Sequence, residues 1–212
     1  MAAAAPVDVL DQATINEMTQ AAANGNHGRI EEILAQAQHP RDAVNKVNKY
    51  GRTAIQVMNS MSESTARTLI NHGADVNIPD PDVQRTPLHE VAETGSIEVL
   101  DLLLQNGADV IARDKWGNTP AHLAASKGRD IKVLERLSQF CTLREVNTEG
   151  KTPLDLAREK GHQHVVEWIQ NHHTRLYSLQ FLVRRLIRIR VRVIGNSVGN
   201  LPRPLIDYLH GK

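Results

Sequence analysis

Short apolar stripes at helical spacing run along most of the chain. Val99, Leu100, Leu103 and Leu104 share one helix face, as do Ile30, Ile33 and Leu34 and, further on, Val165, Val166 and Ile169. Each stripe spans only two or three turns, so the pattern predicts short helices. Threonines mark where they start. Thr53-Ala54-Ile55-Gln56, Thr86-Pro87-Leu88-His89, Thr119-Pro120-Ala121-His122 and Thr152-Pro153-Leu154-Asp155 begin 33 residues apart each time. A Thr followed by Pro predicts an N-cap and a first helical turn, where the missing N–H of proline does no harm. Nine residues after the last three threonines stand Gly95, Gly128 and Gly161, as expected where a short helix ends in the left-handed conformation. Gly73-Ala74-Asp75-Val76 and Gly107-Ala108-Asp109-Val110 close the second helices of their units.

A Thr-Pro-Leu-His tetrapeptide at a 33-residue period resembles the ankyrin repeat. Ala21-Ala22-Ala23-Asn24-Gly25 and the stripe after it read as a degenerate first unit. The resemblance implies an all-α ankyrin-repeat solenoid of about five repeats with a short C-terminal helical tail: residues 1–13 a flexible N-terminus, 14–172 the repeats and 173–212 the tail. It also implies that His89 and His122 are structural, hydrogen-bonding between turns and neighbouring repeats.

The second unit departs from the period. Thr53 to Gly73 is 20 residues, against 21 from Thr86 to Gly107, and Met61-Ser62 stands where the helix-ending glycine belongs. The segment Asn77 to Arg85 is one residue longer than its counterpart in the next unit. With Gly51-Arg52-Thr53-Ala54-Ile55-Gln56-Val57-Met58, His39-Pro40, Asn77-Ile78-Pro79-Asp80-Pro81 and Asp114-Lys115-Trp116-Gly117, residues 20–135 resemble the ankyrin-repeat inhibitors of cyclin-dependent kinases 4 and 6. That resemblance implies a kinase-facing surface containing Tyr50, Gln56, Met58, Asp80, Glu90 and Trp116. Glu90 stands where that family carries an Asp that pairs with a kinase arginine, and Glu93 where it often carries Arg. A blander alternative is that the Gln-Val-Met helix only packs between repeats.

Beyond Gln170 the pattern changes. Leu179, Leu182, Val183, Leu186 and Ile187 form a helix stripe, and Ile187 to Ile194 then alternates with period two. Ser178-Leu179-Gln180-Phe181-Leu182-Val183-Arg184, followed by Leu201-Pro202-Arg203-Pro204 and Asp207-Tyr208-Leu209, resembles a SOCS box. The resemblance implies elongin B/C and cullin-5 as partners, with Leu179, Leu182, Val183 and Ile187 on the elongin side and Leu201, Pro202, Leu205 and Tyr208 on the cullin side. Val183 replaces the usual Cys, and Gly199-Asn200 replaces the first Leu-Pro. A basic amphipathic helix on a membrane or nucleic acid, or a cap on the last repeat, is the alternative for this segment.

Charge sharpens the division. The 212-residue chain has 25 Lys+Arg and 24 Asp+Glu, a net +1, but residues 173–212 hold eight basic residues and one acid. The tail therefore carries +7 and the rest −6, and the near-neutral total hides two unlike segments. Nucleic acid is not read as the partner of the repeats. Aromatic residues are 3% of the chain, so the repeats must pack on Ala, Leu, Val and Ile. A single cysteine, Cys141, leaves no internal disulfide and no Cys-based zinc cluster, which suits a cytoplasmic and nuclear protein. The most apolar run, Phe181 to Ile194, contains five arginines and predicts no membrane span.

Chemistry-bearing motifs are missing. Gly150-Lys151-Thr152 resembles the end of a phosphate-binding loop, but Glu145 stands where its first glycine should be. His162-x-His164 and His172-His173 lack the spacing of a metal site. The expectation is a non-enzymatic protein-binding chain with no cofactor and no small-molecule substrate.

Overall fold

The computed structural model describes residues 10–172, and all the secondary structure in that range is helical. The first repeat pairs α1 (Gln12–Ala23) with α2 (His27–Gln36), and a short α3 (Pro40–Val44) comes after it. The second pairs α4 (Ala54–Val57) with α5 (Glu63–Asn71). Then come α6 (Pro87–Thr94) with α7 (Ile97–Gln105), α8 (Pro120–Lys127) with α9 (Ile131–Ser138), and α10 (Pro153–Glu159) with α11 (Gln163–His172). These five pairs are the five repeats that the period predicts. Along the inner row α1 packs on α4, α6 on α8 and α8 on α10, and the outer helices α2, α5, α7 and α9 stack in the same order.

Each short helix would be marginal alone, because nucleation is unfavourable and eight residues return few hydrogen bonds. Packing supplies what is missing. One hydrophobic core runs from Met18 to Ile169, with Ile30, Leu34, Leu69, Leu88, Leu100, Leu103, Leu134 and Leu137 fully enclosed. Trp168 and Phe140 lie only against its edge, in keeping with the aliphatic composition. Cys141 is buried, its thiol donating to the Leu137 carbonyl. Among the described residues no helix is long and apolar enough to cross a membrane.

The Thr-Pro-x-His tetrapeptides tie the stack together. The Thr86 N–H donates to His89 Nδ1 at 3.1 Å, and the Thr119 N–H to His122 Nδ1 at 3.1 Å. Accepting a backbone N–H leaves the proton on Nε2. His89 Nε2 therefore donates to the Asn118 carbonyl and His122 Nε2 to the Lys151 carbonyl, each at 3.0 Å and each in the next repeat. Both rings are fully buried, and burial holds both imidazoles below their ordinary value.

Between repeats the chain makes projecting fingers, each turned by one Asx side chain. Asn48 Oδ1 accepts the N–H groups of Tyr50 and Arg52 in the first finger, Asp114 Oδ1 those of Trp116 and Asn118 in the third, and Asn147 Oδ1 those of Glu149 and Lys151 in the fourth. The second finger differs. Asp80 Oδ1 accepts from Asp82 and Val83, and the Gln84 N–H closes back on Asp80 O at 2.8 Å, one residue further than the Gly117 N–H reaches to Asp114 O. The extra residue seen in the sequence lies in this turn. Gln84 consequently takes φ +59° at the place where the other fingers carry glycine.

Candidate functional site

The second repeat owes its shape to the early end of its inner helix. α6 and α8 each run eight residues, whereas α4 makes a single turn, and residues 59–62 lead directly into α5, capped by Ser62. The Asn59 N–H donates to the Ala22 carbonyl of the first repeat, fixing this departure. Where the rest of α4 would have packed against α6, a cleft of about 260 Å³ opens. Ile55, Val57, Met58, Pro87 and Val91 give it apolar walls, while Arg52, Asp80, Arg85 and Glu90 supply the charge.

Four of the six residues expected on a partner-facing surface line this one cleft: Gln56, Met58, Asp80 and Glu90. Their situations are unlike. Gln56 is tied internally, its Oε1 accepting the Thr53 N–H at 2.7 Å and its Nε2 donating to the carbonyls of Pro79 at 2.7 Å and Ile78 at 3.3 Å. It takes the part that histidine plays in the third and fourth repeats. Met58 is buried, and Asp80 holds the turn of the second finger while pairing with Arg52 at 2.7 Å. Glu90 is different: its side chain is 46% exposed, and Arg85 stands 3.4 Å away.

The other two candidates are finger tips. Tyr50 is 68% exposed, with the Lys49 ammonium 4.9 Å from its ring centre. Trp116 is 46% exposed, and the Arg85 guanidinium lies 5.9 Å from its ring centre. The second finger carries Val83 near its tip, and the Val83 carbonyl accepts the Lys115 N–H, just as the Trp116 carbonyl accepts the Thr148 N–H.

Arg52 and Arg85 were not among the expected site residues. Arg52 pairs with both Asp80 and Asp82, and Arg85 reaches Glu93 at 2.7 Å, Glu90 at 3.4 Å and Asp114 at 3.8 Å. The sequence did carry a signal for them. Each directly precedes a capping threonine, a place that aims a long side chain along the groove between finger and inner helix. Glu93 also accepts from Lys127 of α8 at 2.8 Å. Burial alone would raise its carboxyl, but the Lys127 ammonium and the Arg85 guanidinium overcome this and hold it below the ordinary value.

The eight residues expected to meet elongin and cullin, from Leu179 to Tyr208, lie outside the described residues, as does His173. Among the described residues no cluster of His, Cys, Asp or Glu could hold a metal ion. His162 and His164 instead donate through Nε2 to the carbonyls of Ser126 and Gly128, at the C-terminal end of α8.

Helix pairs at a 33-residue period, histidines bridging successive repeats and Asx-turned fingers define a protein-binding repeat array. The chain belongs to the ankyrin-repeat family, whose model of ankyrin repeats (3 copies) matches residues 18–114 and 111–178. Over about half its length the chain is also similar to proteins named as kinase inhibitors. It is 38% identical over 117 residues to cyclin-dependent kinase inhibitor 2A of Monodelphis domestica, a match covering 55% of this chain and 66% of that protein. It is 37% identical over 115 residues to cyclin-dependent kinase 4 inhibitor B of Homo sapiens, covering 54% and 80% respectively. A third relative, inversin of Mus musculus, is 31% identical over 137 residues, 64% of this chain but only 12% of that protein.

Proposed function

We propose that the chain is a stoichiometric inhibitor of cyclin-dependent kinases 4 and 6, acting without chemistry of its own by covering the catalytic-cleft side of the kinase. The observation that carries this reading is the cleft between α4 and α6, where Gln56, Met58, Asp80 and Glu90 meet. The names of the two inhibitor relatives support it, as does the one-turn α4 that opens the cleft. Roles divide by exposure. Gln56, Met58 and Asp80 shape the surface from within, while Glu90, Tyr50 and Trp116 are exposed enough to touch a partner. Glu90 would accept a cationic side chain, and the two aromatic tips would add contact area, the usual part of Tyr and Trp at interfaces.

The test is a binding titration of the full chain against purified cyclin-dependent kinase 4, with Glu90→Ala alongside. Wild type binds at micromolar concentration or tighter, and Glu90→Ala weakens binding about tenfold, or roughly 1.4 kcal/mol. No wild-type binding at micromolar concentration would sink the proposal. A second activity, recruitment of elongin B/C and cullin-5, rests on the sequence of residues 178–209 alone. Co-purification of elongin with the full chain, lost on Leu179→Asp, supports it, and a full chain that leaves elongin behind removes it.

A further inference from the structure

We propose that Arg85 is the positioning residue of this binding surface, the group that holds Glu90 and Trp116 in register although they belong to different repeats. The inference rests on the cleft being the binding site. Arg85 leaves the chain just before the Thr86 cap, and its guanidinium lies in the groove between α6 and the next finger, only 22% exposed. From there it meets partners in three places. Nη1 is 2.7 Å from Glu93, two turns up α6, and 3.4 Å from Glu90, one turn lower; Nε is 3.8 Å from Asp114, in the turn of the next finger. Its plane also stands near the Trp116 ring.

The three carboxylates are held to different degrees. Asp114 is fixed by the finger turn, and Glu93 is shared with Lys127, so both are anchored whatever Arg85 does. Among the described residues, Arg85 is the cation that meets the Glu90 carboxylate and the one that stands over the Trp116 ring. Arg85 therefore uses its anchored contacts to orient the two exposed groups. A planar guanidinium with five donors can do this, whereas a lysine ammonium at the same place is a point charge that cannot serve three carboxylates and a ring together. Thus Arg85 acts on a partner through Glu90 and Trp116.

The experiment compares Arg85→Lys, Glu90→Gln and the double variant, in the full chain, for binding to cyclin-dependent kinase 4, with helical content checked by circular dichroism. Arg85→Lys keeps the charge, yet binding falls about tenfold. The double variant binds more weakly than Glu90→Gln by clearly less than tenfold, because the part of Arg85 exerted through Glu90 is already lost and only the part exerted through Trp116 remains. Wild-type-like binding by Arg85→Lys, or full additivity, overturns the inference. A readout independent of the kinase separates this proposal from the functional one: acrylamide quenching of Trp116 in a Trp168→Phe background. Quenching rises on Arg85→Lys if the guanidinium positions the ring, and unchanged quenching overturns that role even where the wild type binds no kinase.

Discussion

Four residues stand three places after a capping threonine, and their chemistry decides what each can reach. Gln56, His89 and His122 offer one acceptor to the cap and one donor to the next finger, while Asp155 accepts from Thr152 and has no donor to send onward. The histidines make the array acid-sensitive. Their folded values are depressed by burial, so below the ordinary 6.5 the unfolded chain takes up protons that the folded chain refuses. The charged groups around them are Arg85 and Asp114 for His89, and Arg113 and Asp114 for His122. Stability is complete above pH 6.5 and falls as pH drops towards the depressed folded values. The depressed carboxyls of Glu93 and Asp155 contribute only lower down, beneath their ordinary 4.5 and 3.8. Urea titrations between pH 7.5 and about pH 5 should show this slope, and His89→Gln/His122→Gln, copying the second repeat, should flatten it; an equal slope in both proteins would mean that the two rings are not its source. Gln84 supplies a second residue-scale test. Its φ of +59° is one that glycine adopts freely, so Gln84→Gly raises unfolding stability by about 0.5–1 kcal/mol despite the added chain entropy. A loss of stability would show that its long side-chain bonds to Asp80 and Pro81 matter more.

At the scale of elements, the one-turn α4 is the departure that matters, and Gln56 is what keeps so short a helix docked. Gln56→Ala leaves the Thr53 N–H and the Pro79 carbonyl without these partners, a loss of about 1–3 kcal/mol. Amide exchange should then quicken in residues 53–58 and 78–85 before the rest of the array, while uniform loosening would argue against a local tie. The helix pairs and their caps were legible in the sequence because each is local, a threonine and a proline at fixed offsets, repeated. The histidine bridges, by contrast, span 29 residues and were expected only from the resemblance to ankyrin repeats. The short interval from Thr53 to Gly73 likewise announced a shortened second repeat. The cleft was less legible. Its walls come from α4, α6 and the second finger, and no pattern within one repeat reports a space between two. Arg85 was missed for the same reason, since its partners Glu93 and Asp114 lie 8 and 29 residues further on. Exposure was also beyond the pattern. Asp80 and Glu90 are both acidic residues expected on the partner-facing surface, yet one is the buried pivot of a turn and the other is half in solvent.

Across the whole molecule, stacking gives every repeat a similar scaffold and leaves the exceptions to carry specificity. Those exceptions, the one-turn α4, the enlarged second finger and the Arg85 cluster, fall at the second and third repeats and the finger beyond them. The acidic excess belongs to residues 1–172 as a whole, since at the cleft Arg52 and Arg85 balance Asp80 and Glu90. Hydrogen-exchange footprinting of the full chain, with and without cyclin-dependent kinase 4, tests most directly whether the cleft and its neighbouring finger tips form the kinase-binding face. Kinase-dependent protection concentrated in residues 50–60, 80–93 and 115–117 is the expected result. Protection confined to the outer helices α5, α7 and α9, or no protection at kinase concentrations in the micromolar range, would contradict it.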